Sequence, residues 1–207
     1  MKILTFVLGR VETNCYFIIN EETMEVILVD PADKAKQIDL HLKEQSLKPV
    51  AILLTHGHFD HIMAIPELQE LYHLPVYAME EEKGLLSDPA KNYSAGVGKR
   101  VVVNVTHPLK DKDKITLAGM DITVIYTPGH TIGGACYYFD KEAVLFSGDT
   151  LFRGTIGRTD FPTGNYDTLI DSLNSKLMVL PDEITVYPGH DRTTTIGYER
   201  NNNPYIA

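Results

Sequence analysis

Apolar residues fall along this chain in two rhythms: short continuous or alternating runs, and longer stretches with helical spacing. Ile3–Leu8, Tyr16–Ile19 and Val26–Val29 are short β-rich runs and predict three strands. Asp30-Pro31 closes the third, and Ala32–Glu44 sets Ala35, Ile38, Leu40 and Leu42 in a loosely helical pattern. Val50–Leu54 is apolar throughout, as expected of a strand covered on both faces. His61–Tyr72 returns to helical spacing through Ile62, Ile65, Leu68 and Leu71. The second half predicts strands at Ile115–Leu117 and Ile122–Tyr126 around a tight turn, then Cys136–Phe139 and Ala143–Phe146 around Asp140-Lys141-Glu142. A helix over Tyr166–Met178, a strand over Ile184–Tyr187 and a last helical turn within Thr193–Asn201 follow. Strands centre each half and helices flank them. Two mixed sheets packed face to face, with helices on both outer faces, satisfy every apolar face. The predicted fold is therefore a four-layer αβ/βα sandwich of the α/β (α+β) class, one domain over 1–207 with pseudo-halves 1–99 and 100–207.

Composition narrows the partners. A chain of 207 residues buries enough surface to need no disulfide staples, and its 43% hydrophobic content excludes a disordered class. The net charge of −9 leaves no basic footprint for a nucleic acid. No stretch approaches the ~18 apolar residues of a membrane span, so neither nucleic acid nor membrane is an expected partner. Met1–Gly9 lacks the long apolar segment of a signal peptide, and two cysteines, Cys15 and Cys136, suit a reducing compartment. A cytoplasmic protein is expected. One count is lopsided: eight histidines and no tryptophan.

The positions of those histidines carry the chemistry. Thr55-His56-Gly57-His58-Phe59-Asp60-His61 sits on a strand-to-helix turn, directly after the apolar run Val50–Leu54. Imidazole nitrogens and carboxylate oxygens are the usual ligands of zinc and similar divalent metals. Three more strand exits repeat the arrangement: Thr127-Pro128-Gly129-His130, Ser147-Gly148-Asp149-Thr150 and Tyr187-Pro188-Gly189-His190. Each places Pro or Gly in a sharp turn before the ligand-type residue. Four strand ends meeting at one sheet edge gather these side chains into one cluster. His41, His73 and His107 lie outside the pattern and are read as packing or surface residues, and both cysteines as small core hydrophobes.

In this order, THGHFDH, PGH, SGDT and YPGH resemble the metallo-β-lactamase fold superfamily along nearly the whole chain. The segments LFSGDTLFRGTIGRTDFPTGN and VYPGHDRTTTIGYERNNNP are most similar to its glyoxalase II-like, hydroxyacylglutathione hydrolase-like branch in the single-domain form. The resemblance implies a first metal position at His56, His58 and His130, a second at Asp60, His61 and His190, and a bridging carboxylate at Asp149. It implies two divalent ions, zinc foremost, with iron or manganese compatible with the same ligands. An aspartate at 149, where several β-lactamases carry cysteine, argues against that activity.

Two divalent cations ~3.5–4 Å apart draw the pKa of a bridging water toward ~7 and polarise a carbonyl. Asp60, ligand and acceptor at once, is the expected catalytic carboxylate. A thiolate needs little protonation to leave, which suits a small acyl-thioester of the S-lactoylglutathione type as substrate. The helical C-terminal extension of two-domain glyoxalase II enzymes, which carries glutathione contacts, is not expected after His190. Asp88–Gly98 is therefore read as a loop bordering the site, with Asn92, Tyr93 and Lys99 as candidate substrate contacts. Arg153 is a candidate for meeting a carboxylate, and Arg158 with Asp160 is read as an ion pair behind the ligands. Two other readings keep the fold. One is a persulfide dioxygenase with a single iron on His56, His130 and Asp149; the other is a non-catalytic binding module.

Overall fold

The computed structural model describes residues 1–206. Strand alternation sorts its apolar side chains into three layers of core. In β2 (Thr13–Ile19), Cys15, Phe17 and Ile19 face one core while Tyr16 and Ile18 face another. The first sheet runs in the order β1 (Lys2–Leu8), β2, β3 (Glu25–Val29), β4 (Lys48–Leu53), β5 (Val76–Met79) and β6 (His107–Leu109). Its first three strands are antiparallel, and β3 to β6 are parallel. Helices α1 (Ala35–Glu44) and, after the short α2 (Phe59–Ile62), α3 (Ile65–Tyr72) cover its outer face through Ile38, Leu42, Ile65 and Leu68.

The second sheet contains β7 (Lys114–Leu117), β8 (Met120–Tyr126), β9 (Ala135–Phe139) and β10 (Val144–Gly148). After the small ribbon of β11 (Leu151–Phe152) and β12 (Thr155–Ile156), the chain adds β13 (Thr185–Pro188) and β14 (Thr194–Thr195) beyond β10. Tyr137, Phe139, Val144 and Phe146 meet Ile18, Ile27 and Leu53 between the sheets. On the far side, Cys136, Leu145 and Val186 pack under α5 (Tyr166–Ser172), through Leu169, and α6 (Ile196–Asn202), through Ile196. The result is the four-layer sandwich of two mixed sheets that the periodicity predicts.

Several boundaries differ, each for a physical reason. The single helix expected over His61–Tyr72 breaks at Met63-Ala64, because those two amides donate to Ala32 and Pro31 carbonyls and Pro66 has no N–H to offer. The helix expected over Tyr166–Met178 is α-helical only to Ser172 and then widens into a π turn over Leu173–Leu177. Strands β5 and β6 escape notice because they are short, and β6 carries His107 and Pro108. With β6 in the first sheet, the change of sheet falls between Leu109 and Lys114 rather than at 99/100.

The ligand-type residues leave from both sheets: His56 after β4, and His130, Asp149 and His190 after β8, β10 and β13. The cluster therefore lies at one end of the sandwich and not on one sheet's edge. Two tyrosines lock that end reciprocally. Tyr137 of the second sheet donates its hydroxyl to Leu54 O at the exit of β4 (2.7 Å). Tyr16 of the first donates to Pro188 O at the exit of β13 (2.5 Å). Backbone bonds add to this, with Ala135 N–H on Thr55 O (2.9 Å) and Asn14 N–H on Gly189 O (2.7 Å). Tyr137→Phe leaves the Leu54 carbonyl buried without its donor. It is expected to lower unfolding free energy by about 1–3 kcal/mol in denaturant titration, and Tyr16→Phe by a similar amount.

Candidate metal centre

Four of the five histidines of the cluster, His56, His58, His61 and His130, have a ring nitrogen committed to the protein or to a neighbouring ring. The Asp30 carboxylate, buried at the exit of β3, accepts from Thr55 N–H (2.8 Å), Thr55 Oγ1–H (2.6 Å) and His61 Nδ1–H (2.9 Å). With its proton directed at Asp30, the Thr55 hydroxyl accepts from His56 Nδ1 (3.1 Å). One carboxylate thus orients His61 directly and His56 through Thr55. His130 Nδ1 donates to Arg158 O at 2.7 Å. His58 Nδ1 and His130 Nε2 face one another at 2.9 Å.

The remaining atoms form two groups. Ligand atoms of His56, His58 and His130 lie within 4.8 Å of one another, as do those of Asp60, His61 and His190. Asp149 stands between them. Its Oδ2 is 3.6 Å from both His130 Nε2 and His190 Nε2, and its Oδ1 is 3.4 Å from His61 Nε2. Asp60 Oδ2 is 3.4 Å from His61 Nε2 and 3.2 Å from His190 Nε2, and accepts a hydrogen bond from Thr13 Oγ1 at 2.9 Å. His56, Asp30 and His61 also fall within ligand distance of one another, but the hydrogen bonds already described account for Asp30.

The donor atoms of this arrangement fit a metal. His56 Nε2, His58 Nε2, His61 Nε2 and Asp149 Oδ1 are buried without a hydrogen-bond partner. Each such atom costs about 1–3 kcal/mol, so several converging in one place mark positions that a cation satisfies. The electrostatics agree. Burial lowers the basicity of His56, and brings His58 down to about 3, with neighbouring rings acting in the same direction. Burial opposes ionisation of Asp60 and Asp149, but His61 and His190 more than offset it and hold both carboxyls below the usual carboxylate range. Burial likewise opposes charge on His61 and His190. The carboxylates prevail, raising His61 well above its ordinary value and His190 to about 10. The two carboxylates thus draw positive charge into this pocket; a bound cation would take the place of the protons on His61 and His190, since a ligating imidazole is neutral.

A second buried carboxylate ties the two ligand loops together. Glu82, fully buried after β5, accepts Gly57 N–H on Oε1 (2.8 Å) and Gly133 N–H on Oε2 (2.7 Å). Gly57 separates His56 from His58, and Gly133 follows His130 by three residues. Burial raises the Glu82 carboxyl to about 7 despite those bonds. Gly133 is sterically required: a Cβ there would sit 2.4 Å from Glu82 Oε2 and 2.5 Å from both the Cβ and the backbone N of Glu82. Gly57 has little room, with an added Cβ 2.7 Å from Leu85 Cδ2.

Neither Asp30 nor Glu82 stands out in the sequence. Asp30 reads there as the end of a strand, although Asp before Pro at a strand exit facing a histidine turn is a usable signal. Glu82 sits in a run of three glutamates that reads as solvated surface. Among the expected substrate contacts, Asn92 is a correction. It is fully buried, its amide donates to Val101 O (3.0 Å) and accepts from Ser94 N–H (2.9 Å), and its carbonyl accepts from Phe59 N–H (2.8 Å). It braces the loop against α2, with both ends of its side-chain amide engaged within the loop. Tyr93 borders the centre, its ring 6.0 Å from His58 and 4.7 Å from Phe161. Arg153 stacks over Tyr198 of α6 at 4.1 Å. Arg158 pairs with both oxygens of Asp160 at 2.7 Å, as expected, and lies over Phe161. His41 packs against Phe6 and Phe17, His107 stacks on Tyr77, and His73 is exposed at the end of α3.

Comparison with known proteins agrees with this geometry. The sequence profile of the metallo-beta-lactamase superfamily matches residues 8–190. The chain belongs to that family. Its relatives include "Probable metallo-hydrolase M6_Spy0554" of Streptococcus pyogenes, 38% identical over all of this chain and 90% of the relative. Another is the hydroxyacylglutathione hydrolase GloC of Haemophilus influenzae, 33% identical over 94% of this chain and 93% of the relative. Among solved structures, the B3 metallo-beta-lactamase BLEG-1 aligns over the full length of both chains with 38% identity and a TM-score of 0.94. TTHA1623 in a di-iron-bound form aligns over 98% of this chain and all of its own, with 35% identity and a TM-score of 0.87. ETHE1 from Myxococcus xanthus gives 31% identity and 0.78 over 99% of this chain and 84% of its own. The superfamily's metallo-hydrolase character and the His/Asp cluster coincide in one place.

Two substitutions test the supporting carboxylates. Asp30→Asn is expected to weaken metal binding by about 10- to 100-fold in chelator competition, because an amide cannot accept from all three donors. Glu82→Gln turns an NH2 toward one of two backbone N–H groups, and is expected to cost about 1–3 kcal/mol in thermal or denaturant unfolding. Unchanged metal affinity in the first, or unchanged stability in the second, contradicts the assigned role.

Proposed function

We propose that this chain hydrolyses small acyl-thioesters, using two divalent ions, zinc foremost, held by His56, His58 and His130 and by Asp60, His61 and His190, with Asp149 shared. The observation that carries the reading is the position of Asp149 between two ligand groups whose free lone pairs converge. A metal pair there supplies a hydroxide near neutral pH and polarises the scissile carbonyl. The chain's own residues do the rest. Asp60, aligned by the Thr13 hydroxyl, is both a ligand of the second position and the acceptor that orients the proton of the attacking hydroxide. Tyr93 and Phe161 form an aromatic wall beside His58 that shields the reacting carbonyl from bulk solvent. The leaving group of a thioester is a thiolate of pKa ~8.5, so no protein acid is required to protonate it. Both carboxylates facing the cluster are held ionised, which agrees with that economy of acid. The similarity to GloC supports a thioester over other acyl substrates.

A second reading, oxidation of a persulfide at a single iron, is favoured by the similarity to ETHE1. The similarity to BLEG-1 makes β-lactam cleavage a third arm of the same assay. Two buried unpaired cysteines suit the cytoplasm, and among the described residues no helix is long and apolar enough to cross a membrane. The deciding experiment measures thiol release from S-lactoylglutathione, oxygen uptake with glutathione persulfide, and β-lactam opening on one metal-loaded preparation. Thiol release without oxygen uptake is expected. Oxygen uptake, or β-lactam opening, without thiol release overturns the proposal. Asp149→Ala is expected to lose metal and at least ~10³-fold in turnover, whereas His73→Ala changes neither.

A further inference from the structure

Beside Asp60 lies an open cavity of about 260 Å³ that none of the ligand histidines lines. Its walls come from two loops: the β1–β2 turn, with Arg10 and Val11, and the turn Ala95–Val97, followed by Lys99. Phe59 and Met63, at either end of α2, also line it. Val11 and Val97 are 47% and 40% exposed, two apolar side chains left in water at the approach to a polar centre. Four charged residues line it: Lys99 Nζ lies 4.0 Å from Asp33 Oδ1, and Asp60 is turned to His61 and His190, which leaves Arg10 without a carboxylate partner among the described residues. Apolar walls with one uncompensated guanidinium match a ligand that is apolar along its length and anionic at its end.

We propose that this cavity is a substrate subsite that receives an apolar arm of the thioester ending in a carboxylate, packed on Val11, Phe59, Met63 and Val97 and met by Arg10. The assignment rests on the thioester reading and names the substrate class of that same centre. At roughly 30 Å³ per water-sized group, the cavity holds about eight or nine non-hydrogen atoms, a chain of about six carbons with its carboxylate. The arm belongs either to the acyl group or to the thiol, and the two are separable. The fold keeps this wall in place through Asn92, which anchors the loop preceding Val97 to the start of α2.

The experiment uses acyl chains of two to eight carbons, each ending in either methyl or carboxylate, on N-acetylcysteamine and on glutathione. For wild type, kcat/KM is expected to rise about two- to fourfold per added methylene until about six carbons. Val97→Asp is expected to flatten that dependence, while Val179→Asp, on the exposed segment between the π turn and β13, leaves it as in wild type. Arg10→Ala is expected to lower the preference for carboxylate-ended over methyl-ended chains by about three- to tenfold. That drop on both thiols places the carboxylate on the acyl group. A drop in kcat/KM confined to glutathione thioesters, whatever the acyl end, places it on the thiol. Active wild-type enzyme with no dependence on chain length or charge, or with neither altered by Val97→Asp and Arg10→Ala, overturns the subsite. Absence of turnover on every thioester instead overturns the thioester reading. Binding is followed independently in zinc-loaded protein titrated with hexanedioate. Shifts of the Val11, Met63 and Val97 methyl resonances that weaken in Arg10→Ala support the subsite; shifts confined to other methyls overturn it.

Discussion

Seven ligand-type side chains crowd the end of an otherwise apolar sandwich, and this end of the structure is arranged around making their burial tolerable. A buried polar atom without a partner is costly, and a buried unpaired charge more so. The chain meets that constraint with a small number of shared hubs. Asp30 serves His61, the Thr55 amide and, through the Thr55 hydroxyl, His56. Glu82 ties the loop carrying His56 and His58 to the loop carrying His130. Tyr16 and Tyr137 each reach across the central core to the strand exit of the opposite sheet. His56 Nε2, His58 Nε2, His61 Nε2 and Asp149 Oδ1, left without partners, fall at the two proposed ion positions.

The same constraint explains why the fold was largely legible from periodicity and the site from motif. Continuous runs such as Val50–Leu54 and Tyr16–Ile19 report covered strands directly, because each face has an apolar layer to meet. The ligand turns are legible because their residues are unusual in kind and follow strands at a fixed offset. Resemblance of THGHFDH and the later PGH, SGDT and YPGH segments supplied the pairing into two groups, which spacing alone leaves open. Elements whose stability comes from neighbours were not legible. Strands β5 and β6 are short and exist because parallel partners offer them hydrogen bonds. The break at Met63-Ala64 exists because Pro31 and Ala32 carbonyls lie across from it.

Residues acting through others were the hardest to read. Asn92 has the composition of a loop contact, yet its amide satisfies its own loop, and it is the exposed valines and arginine nearby that face the cavity. Glu82 is hidden in Glu80-Glu81-Glu82, where only the third side chain turns inward. A carboxylate that binds two backbone N–H groups leaves no periodic trace. The two glycines it approaches are visible in sequence, but their reason is not.

The central claim is that one end of this sandwich holds two ions sharing Asp149. Anomalous diffraction from crystals of the metal-loaded protein, recorded at the absorption edge of the bound metal, tests it most directly. Two peaks about 3.5–4 Å apart are predicted, one among His56, His58 and His130 and one among Asp60, His61 and His190, with Asp149 between. A single peak, or peaks away from these residues, would contradict the account.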